Sequence, residues 1–180
     1  MDPTALIDDL IAREGGFVAN PADRGGPTRY GITQPVARDA GYAGDMHVLP
    51  VAVARRIYLD RYWLAPGLDR VAAIAPQLAA ELFDTGVNMA PATAVGFLRR
   101  ALNALNRGGV DYRDLPPAGP VDAPLLAALR GFVARRGVAG ERVLLKAVDA
   151  LQGERYLHLA EARPANEAFL YGWLANRIGS

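Results

Sequence analysis

One interruption in an otherwise helical pattern constrains this chain more than any other feature. Between residues 15 and 31 the sequence is punctuated by Gly15, Gly16, Asn20, Pro21, Asp23, Gly25, Gly26, Pro27 and Gly31. Glycine loses more backbone freedom in a helix than any other residue, and proline removes an amide donor. No helix runs through such a stretch, so a loop with one or two short strands is expected there. Ahead of it, Leu6, Ile7, Leu10 and Ile11 form an apolar stripe at helical spacing, behind Asp2 as a cap and Pro3 in the first turn. That helix must stop at Gly15-Gly16, which places Glu14 in its last turn. Beyond the loop the spacing predicts helices over about 34–41, 50–64, 76–88, 91–106, 123–136, 141–161 and 164–177. Pro50, Pro76, Pro91, Pro124 and Pro164 stand near their starts, where a missing amide costs little. The expected class is mainly α, with a small irregular or β-hairpin lobe near the N-terminus.

With 180 residues and 51% hydrophobic composition, the chain can bury a sizeable core. The best candidate boundary is Arg107–Pro120, with its Gly108-Gly109 and Pro116-Pro117 pairs. It separates an expected unit over residues 1–107 from a helical region over 108–180 that packs on it. A net charge of +1 lacks the basic footprint of a nucleic-acid binder. The absence of cysteine excludes disulfides, thiol nucleophiles and cysteine-bound metals. His47 and His158 lie far apart and read as surface or packing residues, so no metal, no cofactor and no Ser-His-Asp triad is expected. No stretch approaches the roughly 20 apolar residues of a membrane-spanning helix. The start MDPTALIDDL lacks the basic and apolar segments of a secretory signal. A monomer, made in the cytoplasm and not inserted in a membrane, is expected.

Candidate chemistry gathers at the interruption. Cleavage of a glycosidic bond needs a carboxylic acid to protonate the leaving oxygen, and commonly a second group to activate water or stabilise the cationic transition state. Glu14 sits at the end of an apolar helix, beside glycines that let a sugar or a facing strand come close. Asp23 and Thr28 lie across the turn-rich loop, placed to hold a water on the opposite face of a sugar ring. Each residue alone also has a plain structural reading, as a solvated helix end or a turn former. The case rests on their combination.

The segment Glu14-Gly15-Gly16-Phe17, followed by Asp23-Arg24-Gly25-Gly26-Pro27-Thr28-Arg29-Tyr30-Gly31-Ile32-Thr33, resembles the signature of glycoside hydrolase family 108, the N-acetylmuramidases. The resemblance implies a lysozyme-like, mainly helical fold. It also implies cleavage of the β-1,4 bond between N-acetylmuramic acid and N-acetylglucosamine, with the catalytic glutamate at Glu14. The layout is similar to that of phage-type lysozymes, which use Glu, then Asp, then Thr around a short hairpin. Glu14 and Asp23 have the matching eight residues between them, and Thr28 comes one position early.

Leu82-Phe83-Asp84-Thr85-Gly86-Val87-Asn88 resembles a second family segment, which implies that Asp84 and Asn88 contact the glycan. Tyr30 is a candidate for stacking on a sugar face, whereas Tyr58, Tyr62 and Trp63 read as core at their helical spacing. Residues from about 110 to 177 resemble the predicted peptidoglycan-binding domain that follows such catalytic units. Leu125 to Leu129, Arg155-Tyr156 and the run from Phe169 through Trp173 to Arg177 carry that likeness. The implied partner is the peptidoglycan strand. The implied place of action is the periplasmic wall, reached through a holin or a secretion system. Two other readings stay open: a lytic transglycosylase that leaves anhydro ends, and a non-catalytic wall-binding or secretion-accessory protein that keeps the fold.

Overall fold

The computed structural model describes residues 2–19 and 26–179. It is mainly α and lysozyme-like in class, with a small three-stranded antiparallel sheet near the N-terminus. The chain divides into two compact units, Met1–Ala65 and Pro66–Ser180.

In the first unit, α1 (Thr4–Glu14) buries Ile7, Leu10 and Ile11. Asp2 accepts hydrogen bonds from the Thr4 amide (2.9 Å) and the Thr4 hydroxyl, which satisfies one free donor of the first turn. Strands β1 (Phe17–Val18), β2 (Thr28–Arg29) and β3 (Ile32–Thr33) follow. Phe17 pairs with Arg29 and Arg29 with Ile32, while Val18 pairs with Thr28 and Thr28 with Thr33. Directly paired residues share a face of a pleated sheet. Ile32 is buried, so the Phe17–Arg29–Ile32 face is turned inward and Thr28 lies on the other face with exposed Val18.

Helix α2 (Gln34–Asp39) comes next, then a 3-10 turn over Met46–Val48 and α3 (Val51–Tyr58). The helix expected over 50–64 changes its winding partway. From Leu59 to Leu64 it is a π-helix, marked by the bond from the Ala65 amide to the Asp60 carbonyl (2.9 Å). Helix α3 packs on α1, burying Ala54, Ile57 and Tyr58.

The second unit contains α4 (Leu68–Ala72), α5 (Pro76–Met89), α6 (Pro91–Ala104), α7 (Ala123–Ala162) and α8 (Glu167–Arg177). Helix α4 is too short to leave a periodic signature and was not expected from the sequence. Helix α7 is broken at Gly137 (φ 59°, ψ −156°), which matches the two separate helices read around that position. Helix α5 packs against α4, α6 and α7, and α7 carries α8. Leu78, Leu82, Leu98, Leu102, Leu125, Leu129, Phe132, Leu144 and Val148 form the core.

The loop between α6 and α7 is tied down by polar side chains. Fully buried Arg99 donates to the Pro120 carbonyl (2.5 Å) and the Asp122 carboxylate (2.8 Å). Asp122 in turn caps α7 through the Leu125 amide (3.0 Å). That amide bond, helped by Arg99, holds the Asp122 carboxyl below the usual range. Among the described residues no helix is long and apolar enough to cross a membrane.

Candidate active site

Glu14 ends α1 and is half-buried. The chain leaves the helix through Gly15, whose φ of 74° and ψ of −157° lie where a side chain is strained. The chain thus turns sharply out of α1 and into β1. The β2–β3 hairpin turns on two residues, Tyr30 (φ 53°) and Gly31 (φ 72°), as a tight primed turn requires. Gly31 suits this conformation. Tyr30 does not, and a left-handed residue with a side chain costs about 1 kcal/mol. The Tyr58 hydroxyl offsets that cost by donating to the Tyr30 carbonyl at 2.8 Å.

The turn is where the site closes. A Cβ on Gly31 would lie 3.0 Å from both Cγ and Oε2 of Glu14, and 2.7 Å from the Tyr58 hydroxyl. The Glu14 carboxyl therefore rests against bare backbone, with the tyrosine hydroxyl beside the same point. No larger residue than glycine fits there.

The rest of the hairpin is braced on its flanks. Arg29 lies over the Tyr30 ring, 5.0 Å from its centroid, and donates to the Tyr30 hydroxyl (3.2 Å); its buried Nε has no hydrogen-bond partner among the described residues. Phe17 stacks on His47 with ring centroids 3.5 Å apart, so His47 is a packing residue. The Gln34 amide donates to the Pro27 carbonyl (2.9 Å), joining the hairpin base to α2.

Of the expected site residues, Glu14 and Tyr30 meet through this turn. Thr28 lies on β2, where its hydroxyl reaches the Gly26 carbonyl at 3.3 Å. Asp23 lies outside the described residues. Tyr58 reads from the sequence as core, and it is indeed 2% exposed. Its hydroxyl nonetheless ends beside Glu14, a placement that helical spacing cannot reveal because it depends on where the hairpin turn lands.

Asp84 and Asn88 belong to the second unit. The Asn88 amide donates to the Asp84 carbonyl (2.8 Å) and carboxylate (3.0 Å), and Arg177 of α8 reaches the same carboxylate at 3.2 Å. One turn earlier on α5, Glu81 faces Asp149 of α7. Burial first, then the charges of Asp149 and Asp84, push the Glu81 carboxyl up to about 7. Thr85 spans this cluster, its hydroxyl within donating distance of Glu81 Oε1 (3.3 Å) and Gln152 Oε1 (3.0 Å), and Gln152 donates to the Tyr156 hydroxyl (3.2 Å). Among the described residues no group of His, Asp and Glu is arranged to hold a metal ion.

Comparison with known proteins fits this geometry. Residues 7–90 match the family described as glycosyl hydrolase 108. Residues 93–178 match a family described as a predicted peptidoglycan domain. A solved structure, that of SagA from Brucella abortus, superposes with a TM-score of 0.68 at 20% identity, covering 95% of this chain and 86% of that one. At that identity the likeness speaks for the fold. No curated protein sequence matches the chain.

Proposed function

Over residues 7–90 the chain belongs to the glycosyl hydrolase 108 family, and from that premise we propose that it is a muramidase with Glu14 as its general acid. The bond cleaved is the β-1,4 link between N-acetylmuramic acid and N-acetylglucosamine in peptidoglycan. The observation that carries this reading is the placement of the Glu14 carboxyl, at an abrupt helix end and against the bare Gly31 backbone. At Gly31 the turn presents no side chain of its own to the carboxyl, which suits a group that must approach a glycosidic oxygen. The match of residues 93–178 to a predicted peptidoglycan domain supports the same substrate.

In this mechanism Glu14 donates its proton to the bridging oxygen as the C1–O bond breaks, and positive charge spreads over C1 and the ring oxygen. Asp23 takes a proton from a water attacking the opposite face of the sugar, and Thr28 helps to hold that water. Tyr30 stacks on a sugar ring, and Asn88, exposed and steadied by Asp84, contacts an N-acetyl or hydroxyl group. The enzyme acts as a monomer on the wall, reached through a holin or a secretion system.

The test is mass spectrometry of the muropeptides released from purified peptidoglycan. Reducing N-acetylmuramic acid ends are expected. Anhydro ends would replace hydrolysis with transglycosylation on the same Glu14, and no release would leave a wall-binding protein.

A further inference from the structure

We infer that Tyr58 is a positioning residue for Glu14, acting through the Tyr30–Gly31 turn. The inference rests on the reading of Glu14 as the general acid. Tyr58 is the last residue of α3, where regular α winding gives way to the π-helix. Its ring is buried and packs against Tyr62 at 5.6 Å between centroids. For that packing a phenylalanine would serve equally well, so the hydroxyl has another use.

The hydroxyl makes two approaches. It donates to the carbonyl of Tyr30, a residue held at φ 53° against its own preference. It also lies beside the Gly31 backbone, at the same point that the Glu14 carboxyl approaches. A turn in a disfavoured backbone conformation relaxes unless something holds it. Here the holding group and the reacting group meet the same residue, so a relaxed turn moves the wall against which Glu14 is set. Nothing in the family signature contains this residue, which lies 25 positions beyond Thr33.

Tyr58→Phe keeps the ring and removes the bond. The expected result is a kcat on peptidoglycan lowered about 10- to 100-fold, the range for a misplaced catalytic group, with KM within about twofold and circular dichroism unchanged. Gly31→Ala supplies an independent variant, because its methyl group meets both the hydroxyl and the Glu14 side chain. Removing the hydroxyl relieves half of that clash, so Gly31→Ala should be less harmful on the Tyr58→Phe background than on the native one. Two independent structural defects would multiply instead, and that result would overturn the inference. A native kcat in Tyr58→Phe would overturn it too. Glu14→Gln, assayed alongside, separates the two claims. Full activity there sinks the general-acid reading, while an inactive Glu14→Gln beside a fully active Tyr58→Phe sinks only the role of Tyr58.

Discussion

Glu14 in the first unit and Glu81 in the second are both helix carboxyls, yet their surroundings have little in common. Glu14 sits at the last residue of α1, beside backbone at positive φ at Gly15, Tyr30 and Gly31, and its carboxyl rests against the bare Gly31 backbone. Glu81 sits inside α5, walled by Thr85, Asp84 and the α7 residues Asp149 and Gln152. Its acidity is displaced to about 7 because burial and two nearby carboxylates oppose its ionisation. The contrast teaches that a displaced acidity can come from helix packing alone. A displaced acidity is therefore no mark of a reacting acid, and the reading of Glu14 as one rests on its place at a helix end against a glycine turn.

The sharpest test of the contrast is the pair Glu14→Gln and Glu81→Gln. The first should lower lysis of permeabilised cells by at least the 10²–10⁴ of general acid catalysis, with an unchanged melting curve. The second should leave lysis at pH 6 within about twofold. Loss of activity in Glu81→Gln at native stability would break the comparison.

A smaller effect belongs to Arg99, whose guanidinium is fully buried against Pro116, Pro120 and Asp122. Arg99→Met should cost about 3 kcal/mol in denaturant unfolding, because the loop's acceptors lose their donor. Unchanged stability would mean that apolar contacts alone hold that loop.

Glu81 next gives a dependence on pH. Its folded value lies above the ordinary 4.5, so between about pH 4.5 and pH 7 the folded chain holds a proton that the unfolded chain has released. Stability from this group is therefore present below pH 4.5 and is lost as pH rises through about 7. The span is on the order of 2 kcal/mol after allowance for partial solvent contact. Glu81→Gln should flatten most of this slope. Asp149, raised by burial as well, retains a remainder of the same sign. Urea melts at pH 5 and pH 8 measure the difference.

Gly15→Ala isolates backbone strain, since nothing lies within 4 Å of a Cβ there. It should cost about 1–3 kcal/mol. Tyr171 is 86% exposed, so Tyr171→Ser should change stability by less than about 0.5 kcal/mol. A larger loss there would show that α8 buries more than its helix packing indicates.

Much of the molecule was legible in the residue pattern because local rules agreed with the fold. The stripe through Leu10 and Ile11 and the prolines at helix starts located the helices. The helices read over 123–136 and 141–161 fall on either side of the break at Gly137, and the turn formers marked the only stretch in which strands occur among the described residues. Glu14 was legible because a carboxyl before paired glycines is set by local geometry. Helix α4 escaped because five residues hold barely one turn of periodicity. Tyr58 escaped for another reason. A tyrosine among apolar neighbours reads as core, and its ring is core; only its terminal oxygen does something else.

The sequence by itself determined the longer helices, the turn-rich lobe near the N-terminus and the position of Glu14 at a helix end. These follow from propensities and spacings that act within a few residues. Only tertiary structure decided that the turn at Tyr30 and Gly31 comes to rest on the Glu14 carboxyl. It also decided that a hydroxyl from α3 holds that turn, and that Arg177 reaches the Asp84 carboxylate. Each of these joins groups far apart along the chain. Their meeting depends on how α1 packs on α3 and how α7 holds α8 so that Arg177 reaches α5, which no local spacing encodes.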